Sequence, residues 1–284
     1  MGSATTSVRW RRIGSALREI REANGLTLGA VSRRYGRSSG WFSTLENGQH
    51  TIDTWELVDL LDMYEVAADS PLRESLLYLS MRGRGGRWQR PWEGKVSAAA
   101  LDLASLEEDS NLLRETKATT IPGLLQDRAY TEAQLAAGLL SPSSDPQALV
   151  EFRMSRQRVL TRPDRPRYEV VIGEAALRQH IGGAEILRAQ LRSLLDHIQA
   201  QSTDLRILDH TASIDPGPSA PFLILNLRPP GRLTTVLVDG YTHGMFIADE
   251  KEVAEYEKAF NHLRAAALDE SESHRLIEQI LSEI

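Results

Sequence analysis

The sequence predicts two domains of different class. The first is an all-α N-terminal domain of about five helices, the second an α+β C-terminal domain with a small sheet of about five strands. Three observations predict this. Apolar residues recur at helical spacing in successive stretches up to Arg82. A Gly- and Arg-rich stretch, Met81 to Lys95, then breaks the pattern. Beyond it, helical stripes are interspersed with short β-branched and aromatic runs, YEVVI, LRIL, FLILNL, TTVLV and MFI. The expected domains are 1–82 and 98–284, joined by a hinge over 83–97.

The first helix is expected from about Ile13 to Ala23, with Ile13, Leu17 and Ile20 on one face and Asn24-Gly25 as its stop. Thr27 is a natural N-cap for a second helix carrying Leu28, Val31 and Tyr35. Ser32 is small where another helix must come close. Gly36 sits where the chain leaves that helix, a position that favours left-handed geometry. Ser38 or Ser39 caps a third helix whose Phe42 and Leu45 point inward, and Glu46-Asn47-Gly48 ends it. Two short helices joined by a tight turn form the helix-turn-helix pattern, in which the second enters the DNA major groove. After a loop at His50 to Asp53, Asp53 or Thr54 caps a fourth helix burying Leu57, Val58, Leu60, Leu61 and Tyr64. Pro71 fits the first turn of a fifth, with Leu72, Leu76, Leu77 and Leu79, to about Arg82.

Charge distribution agrees with that reading. The 284-residue chain carries a net charge of −6. Up to Arg37, however, Arg9, Arg11, Arg12, Arg18, Arg21, Arg33, Arg34 and Arg37 face only Glu19 and Glu22. A local excess is what phosphate contact needs, because screening confines the field to roughly 8 Å at physiological salt. The region from Asp249 onward is rich in Glu. With no cysteine, no apolar signal core near the start and no run of about 18 apolar residues, a cytoplasmic protein is expected, at the nucleoid when bound to DNA. No membrane association and no metal or other cofactor is expected.

Leu26 to Gly48, with the helices on either side, resembles the XRE-type (phage repressor-like) helix-turn-helix. The small residue in helix two, the Gly at the turn and the Leu-Glu-Asn-Gly ending carry the resemblance. It implies base-facing positions at Ser39, Gly40 and Thr44, with Ser43 and Arg37 near the DNA backbone. It also implies a structural ion pair between Arg21 and Glu46. The candidate DNA-contacting set is Thr27, Arg33, Arg34, Arg37, Ser38, Ser39, Gly40, Trp41, Ser43 and Thr44. Ser, Gly and Thr stand where a bidentate Gln, Asn or Arg would read a base sharply. Direct readout is therefore expected to be modest, with phosphate contacts from Arg33, Arg34 and Arg37 supplying much of the affinity. On this reading, Arg37→Ala weakens binding to all sequences and flattens its salt dependence. Trp41 has two readings, contact with the sugar-phosphate wall or a thymine methyl, and packing on helix two.

In the hinge, Trp88 and Trp92 are read as docking onto the second domain rather than stacking on bases, since duplex binders need no stacking aromatics. A helix is expected over Ala98 to Lys117, then a turn at Ile121 to Gln126 leading into a helix from about Asp127 to Leu139. The loop SPSSDP precedes a helix from Gln147 to Leu160 bearing Arg153, Arg156 and Arg158. Tyr168 to Ile172 reads as a buried strand. Helices follow at Glu174 to His180 and Ala184 to Gln201, the latter striped by Leu187, Leu191, Leu194, Leu195 and Ile198. Leu205–Leu208, Phe222–Leu227, Thr234–Val238 and Met245–Ile247 complete the strands, and helices at Asp249–Ala267 and Glu270–Ile284 close the chain.

IPGLLQDRAYTEAQL, RMSRQRVL, YEVVIGEAALRQHIGG, ILRAQLRSLL and APFLIL, in that order, resemble the C-terminal domain of WhiJ-like regulators of filamentous actinobacteria. That resemblance implies a developmental or antitoxin-like transcriptional regulator, often encoded beside a small acidic partner protein. Catalysis is not expected. Glu174, the His180 to Gly183 turn, Asp209-His210 and His243 lack the spacing of a zinc HExxH, a GxSxG elbow or a phosphate loop. Three functions remain open for the C-terminal domain: binding a protein partner while dimerising, sensing a small molecule, or chemistry targeted by the DNA-binding module. A homodimer is expected because one helix-turn-helix reads only a half-site. The Leu187–Ile198 stripe and Leu276, Ile277, Ile280 and Leu281 are candidate interfaces, the former better read as core.

Overall fold

The computed structural model describes residues 7–83, 88–138, 145–200, 203–212, 221–238 and 244–284. Residues 84–87 of the hinge, Leu139, residues 141–144 of the Ser/Pro loop, Gln201 and His243 lie outside these. The chain forms two compact units: Met1–Pro91 with Ala98–Ser105 and Leu227–Leu233, and Trp92–Ser97 with Leu106–Asn226 and Thr234–Ile284. The N-terminal part is helical with five helices to residue 82, and the C-terminal part is α+β.

In the first unit, α1 (Val8–Ala23), α2 (Leu28–Tyr35), α3 (Ser39–Glu46), α4 (Thr54–Met63) and α5 (Pro71–Arg82) enclose a core of Ile13, Leu17, Val31, Phe42, Leu45, Leu57, Leu60, Leu61, Leu76 and Leu79. The first helix starts five residues earlier than Ile13, the start its apolar spacing suggested. Val8 and Trp10 are buried in it, and so is Arg9. Arg9 finds its partners far along the chain, Nη1 donating to the Ser105 hydroxyl at 2.9 Å and Nη2 to the Ser105 carbonyl at 3.0 Å. Three arginines at 9, 11 and 12 conceal that turn from any hydrophobic pattern. The apolar positions are not all equally buried, and the expected burial of Val58 is corrected. Ile20 and Val58 are half-buried, and Leu72 is exposed. Arg73 takes the inward place beside Leu72, bonding Asp62 at 2.5 Å and the Val66 carbonyl at 3.1 Å.

The expected helix over Ala98 to Lys117 is overturned in its second half. α6 (Ala98–Asp109) stops where Ser110 turns its hydroxyl back to the Leu106 carbonyl at 2.7 Å, and β1 (Ser110–Lys117) follows. Leu, Arg, Glu and Lys are helix formers, but here pairing with a neighbouring strand outweighs propensity. β1 runs parallel to β2 (Arg167–Gly173) from Leu112↔Arg167 to Lys117↔Ile172, and β2 runs parallel to β3 (Asp204–Leu208). β4 (Phe222–Leu227), β5 (Thr234–Val238) and β6 (Met245–Ile247) pair antiparallel. Among the described residues the result is a six-stranded mixed sheet, β3-β2-β1-β4-β5-β6, where about five strands were expected.

Helices cover this sheet. α7 (Arg128–Ala137), α8 (Pro146–Gln157) and α9 (Glu174–Arg178) lead to α10 (Ala184–Gln199). Leu187, Leu191 and Leu194 of α10 are wholly buried within the unit, so that stripe is core and offers no free interface. α11 (Glu250–Ala266) sets Val253 and Phe260 against Val171, Phe222, Ile224, Val236 and Ile247. α12 (Glu270–Glu283) buries Ile277 and Ile280, leaving Leu276 and Leu281 half-buried. The β3 edge is closed: Ile207 donates its N–H to the Ser273 hydroxyl and accepts from the Leu268 N–H, both at 2.9 Å.

Candidate nucleic-acid interface

Local chemistry builds the α2–turn–α3 unit. The Thr27 hydroxyl accepts from the Ala30 N–H at 3.2 Å, and the Ser38 hydroxyl accepts from the Trp41 N–H at 3.1 Å, so each helix is capped by its own sequence. Between them Gly36 adopts φ +81°, a left-handed value that a side chain would strain. The Ser32 hydroxyl donates to the Arg37 carbonyl at 2.6 Å and closes the turn. Behind α3 stands a glycine that the sequence reading passed over. A Cβ on Gly14 would lie 2.4 Å from the Leu45 carbonyl oxygen, so α1 and α3 approach this closely because position 14 has none.

The inward face of α3 is Phe42, Leu45 and Glu46. Ser39, Gly40 and Thr44 are exposed on it, and Ser43 is half-buried. Thr27, Arg33, Arg34, Arg37 and Ser38 are exposed around them. The Thr44 hydroxyl donates to the Trp41 carbonyl at 2.9 Å, which ties it to its own helix. Trp41 is half-buried. It stacks on Tyr35 of α2 at 6.3 Å and 16°, and meets Phe42 and His50 edge-on at 5.0 and 5.7 Å. The Arg37 guanidinium lies over the same indole at 5.3 Å.

Arg21 and Glu46 form a buried bidentate pair, Nε to Oε1 at 2.6 Å and Nη2 to Oε2 at 2.9 Å. Arg21 also donates to the Leu26 carbonyl at 2.8 Å, so one guanidinium joins α1, the α1–α2 loop and the end of α3. Hydrogen bonding to Glu46 raises the Arg21 pKa above the ordinary guanidinium value. Nearby, burial and then the Glu46 charge push the Tyr64 phenol well above the usual range. Sequence reading missed Glu56 of α4, whose carboxylate meets Arg37 at 2.6 Å. The only local signal for it was a carboxylate in a first helical turn.

In the second unit, the structure brings together two residues that the sequence singled out separately. Glu174 opens α9 after β2, and His210 follows β3, the adjacent parallel strand. The buried Glu174 carboxylate lies 2.5 Å from His210 Nδ1 and accepts from Arg178 Nε at 2.7 Å. Burial works to raise the Glu174 pKa, but hydrogen bonds from Arg178 and His210 outweigh it and hold the carboxyl below its ordinary value. His180 lies elsewhere and exposed, and Gly183, at φ +99°, is the N-cap of α10. Among the described residues no group of three or more His, Cys, Asp or Glu is placed to hold a metal ion. No helix among them is long and apolar enough to cross a membrane.

Caps, left-handed turn, buried inner face and exposed outer face together define a helix-turn-helix module of the DNA-binding regulator class. A family model described as a helix-turn-helix domain matches residues 12–76. The chain belongs to the family described as Domain of unknown function (DUF5753), whose model matches residues 100–279. No curated protein and no solved structure matches it.

Proposed function

We propose that the protein is a sequence-specific transcriptional regulator that binds duplex DNA as a homodimer through α2 and α3. One observation carries this reading. α3 buries Phe42 and Leu45 while leaving Ser39, Gly40 and Thr44 exposed, and Arg33 and Arg34 of α2 are exposed too. Small hydroxyl and glycine positions allow close approach to a groove, and the arginines supply phosphate contacts. Thr27, Ser38, Trp41 and Ser43 complete the interface. The Arg21–Glu46 pair braces it from behind.

The C-terminal unit, on this proposal, receives the signal by binding a small acidic protein rather than by catalysis. The developmental or antitoxin-like role follows from the resemblance to WhiJ-like regulators. Cytoplasmic residence, with nucleoid association on DNA, belongs to the same proposal. Glu174–His210 then serves as a brace between the ends of β2 and β3. Immunoprecipitation of the protein with its genomic DNA, together with its co-purifying proteins, tests the whole. The expected outcome is enrichment of paired half-sites about 34 Å apart, with a small protein in the eluate. Uniform recovery of DNA would overturn the sequence-specific reading. A melting shift produced by a small molecule, with no protein partner recovered, would give the sensing role to that ligand class.

A further inference from the structure

Arg37 leaves the turn between α2 and α3 with its guanidinium already engaged. Its Nη2 lies 2.6 Å from Oε1 of Glu56, in the first turn of α4. The Glu56 side chain is 13% exposed and that of Arg37 50%. The Tyr35 hydroxyl donates to the Glu56 main-chain carbonyl at 3.1 Å, so the turn carrying the carboxylate is fixed against α2 independently of its charge. Below the guanidinium lies the Trp41 ring. Arg33 and Arg34 of α2 are exposed.

We propose that Glu56 is a specificity-determining residue of the DNA interface, an internal carboxylate that competes with DNA phosphate for Arg37. This rests on the DNA-binding reading above. The base-facing positions hold little discriminating chemistry. Gly40 offers no side chain, and the Thr44 hydroxyl is turned onto its own helix. Base-derived discrimination is therefore small, while every unpaired arginine strengthens binding to any duplex alike. Neutralising one of three arginines at the turn lowers that indiscriminate component. Where a phosphate sits directly over Arg37, the guanidinium can exchange partners. Because the Arg37 side chain is half exposed, the exchange changes affinity only a few-fold.

The test is binding of the full chain to a random-sequence duplex of about one and a half turns, followed against salt. Glu56→Gln is expected to bind about threefold tighter at low salt, with a slope steeper by about 0.9, the value for one added phosphate contact. Arg37→Gln binds more weakly, with a flatter slope. The double variant returns to the wild-type slope, because both charges leave together. Circular dichroism melting verifies that each variant is folded, and Glu56→Ala provides the same comparison if Gln perturbs the turn. Weaker binding or an unchanged slope for folded Glu56→Gln overturns the proposal. So does a double variant flatter than wild type, which would make Glu56 a support for an existing Arg37–phosphate contact. Failure of the unsubstituted chain to bind any duplex overturns the DNA reading itself, a result distinguishable from the other two.

Discussion

Asp102 caps a helix that lies 94 residues away in sequence. Its carboxylate accepts from the Val8 backbone N–H at 3.0 Å and from the Ser7 hydroxyl at 2.8 Å, so α6 closes the N-terminus of α1. A carboxylate there satisfies an orphan donor and favours the helix dipole. It also lies 3.7 Å from buried Arg9. Asp102→Ala is expected to cost about 1–2 kcal/mol, read as a lower melting temperature of the full chain. A melting temperature equal to wild type would show that α1 does not depend on this cap.

Glu46 is read as a brace and not as a base reader. Removing one member of a buried pair leaves the other charged and unmatched, which typically costs about 3–5 kcal/mol. Glu46→Ala should therefore shift the urea midpoint strongly, and Glu46→Gln less, since the amide oxygen still accepts one bond from Arg21. Base preference, measured by competition between duplexes, should stay as it was in any variant that folds. Full stability retained by Glu46→Gln would argue against the brace.

Arg33 and Arg34 should act additively on the salt dependence of DNA binding. Replacing both with Ala removes two phosphate partners, so the slope should flatten by about 1.8, with affinity falling for every sequence tested. A slope unchanged within error would remove both residues from the interface.

Acid should destabilise the second unit partly through His197 of α10. Burial lowers its imidazole pKa, with the Asp196 charge working in the opposite direction. The unfolded chain then binds the proton more tightly than the folded one. The neutral-imidazole contribution is full above about pH 6.5, the unfolded value, and is lost as pH falls from there toward the lowered folded value. Urea midpoints of wild type and His197→Gln should converge, or reverse order, as pH drops through that range. A constant gap between them would contradict this.

The helix-turn-helix was legible because its signals are local. Thr27 and Ser38 cap, Gly36 turns left-handed, and Phe42 and Leu45 repeat at helical spacing, all within about twenty residues. Strands β2 to β6 were legible for a similar reason, being short β-rich runs bounded by turn residues. The Glu174–His210 contact was not, because its two residues are brought together only by the parallel pairing of β2 with β3.

What the sequence by itself determined is thus the class of each half and the helix-turn-helix module in the first. Tertiary structure alone decided three things. It made Ser110–Lys117 a central strand, since pairing with β2 satisfies its backbone and outweighs the helical preference of Leu, Arg, Glu and Lys. It buried Arg9 and extended α1 back to Val8, because Ser105 and Asp102 supply acceptors from a distant helix. It set Glu56 against Arg37, joining α4 to the turn it faces. Each depends on a partner distant in sequence, and periodicity and capping report only on a residue's near neighbours along the chain.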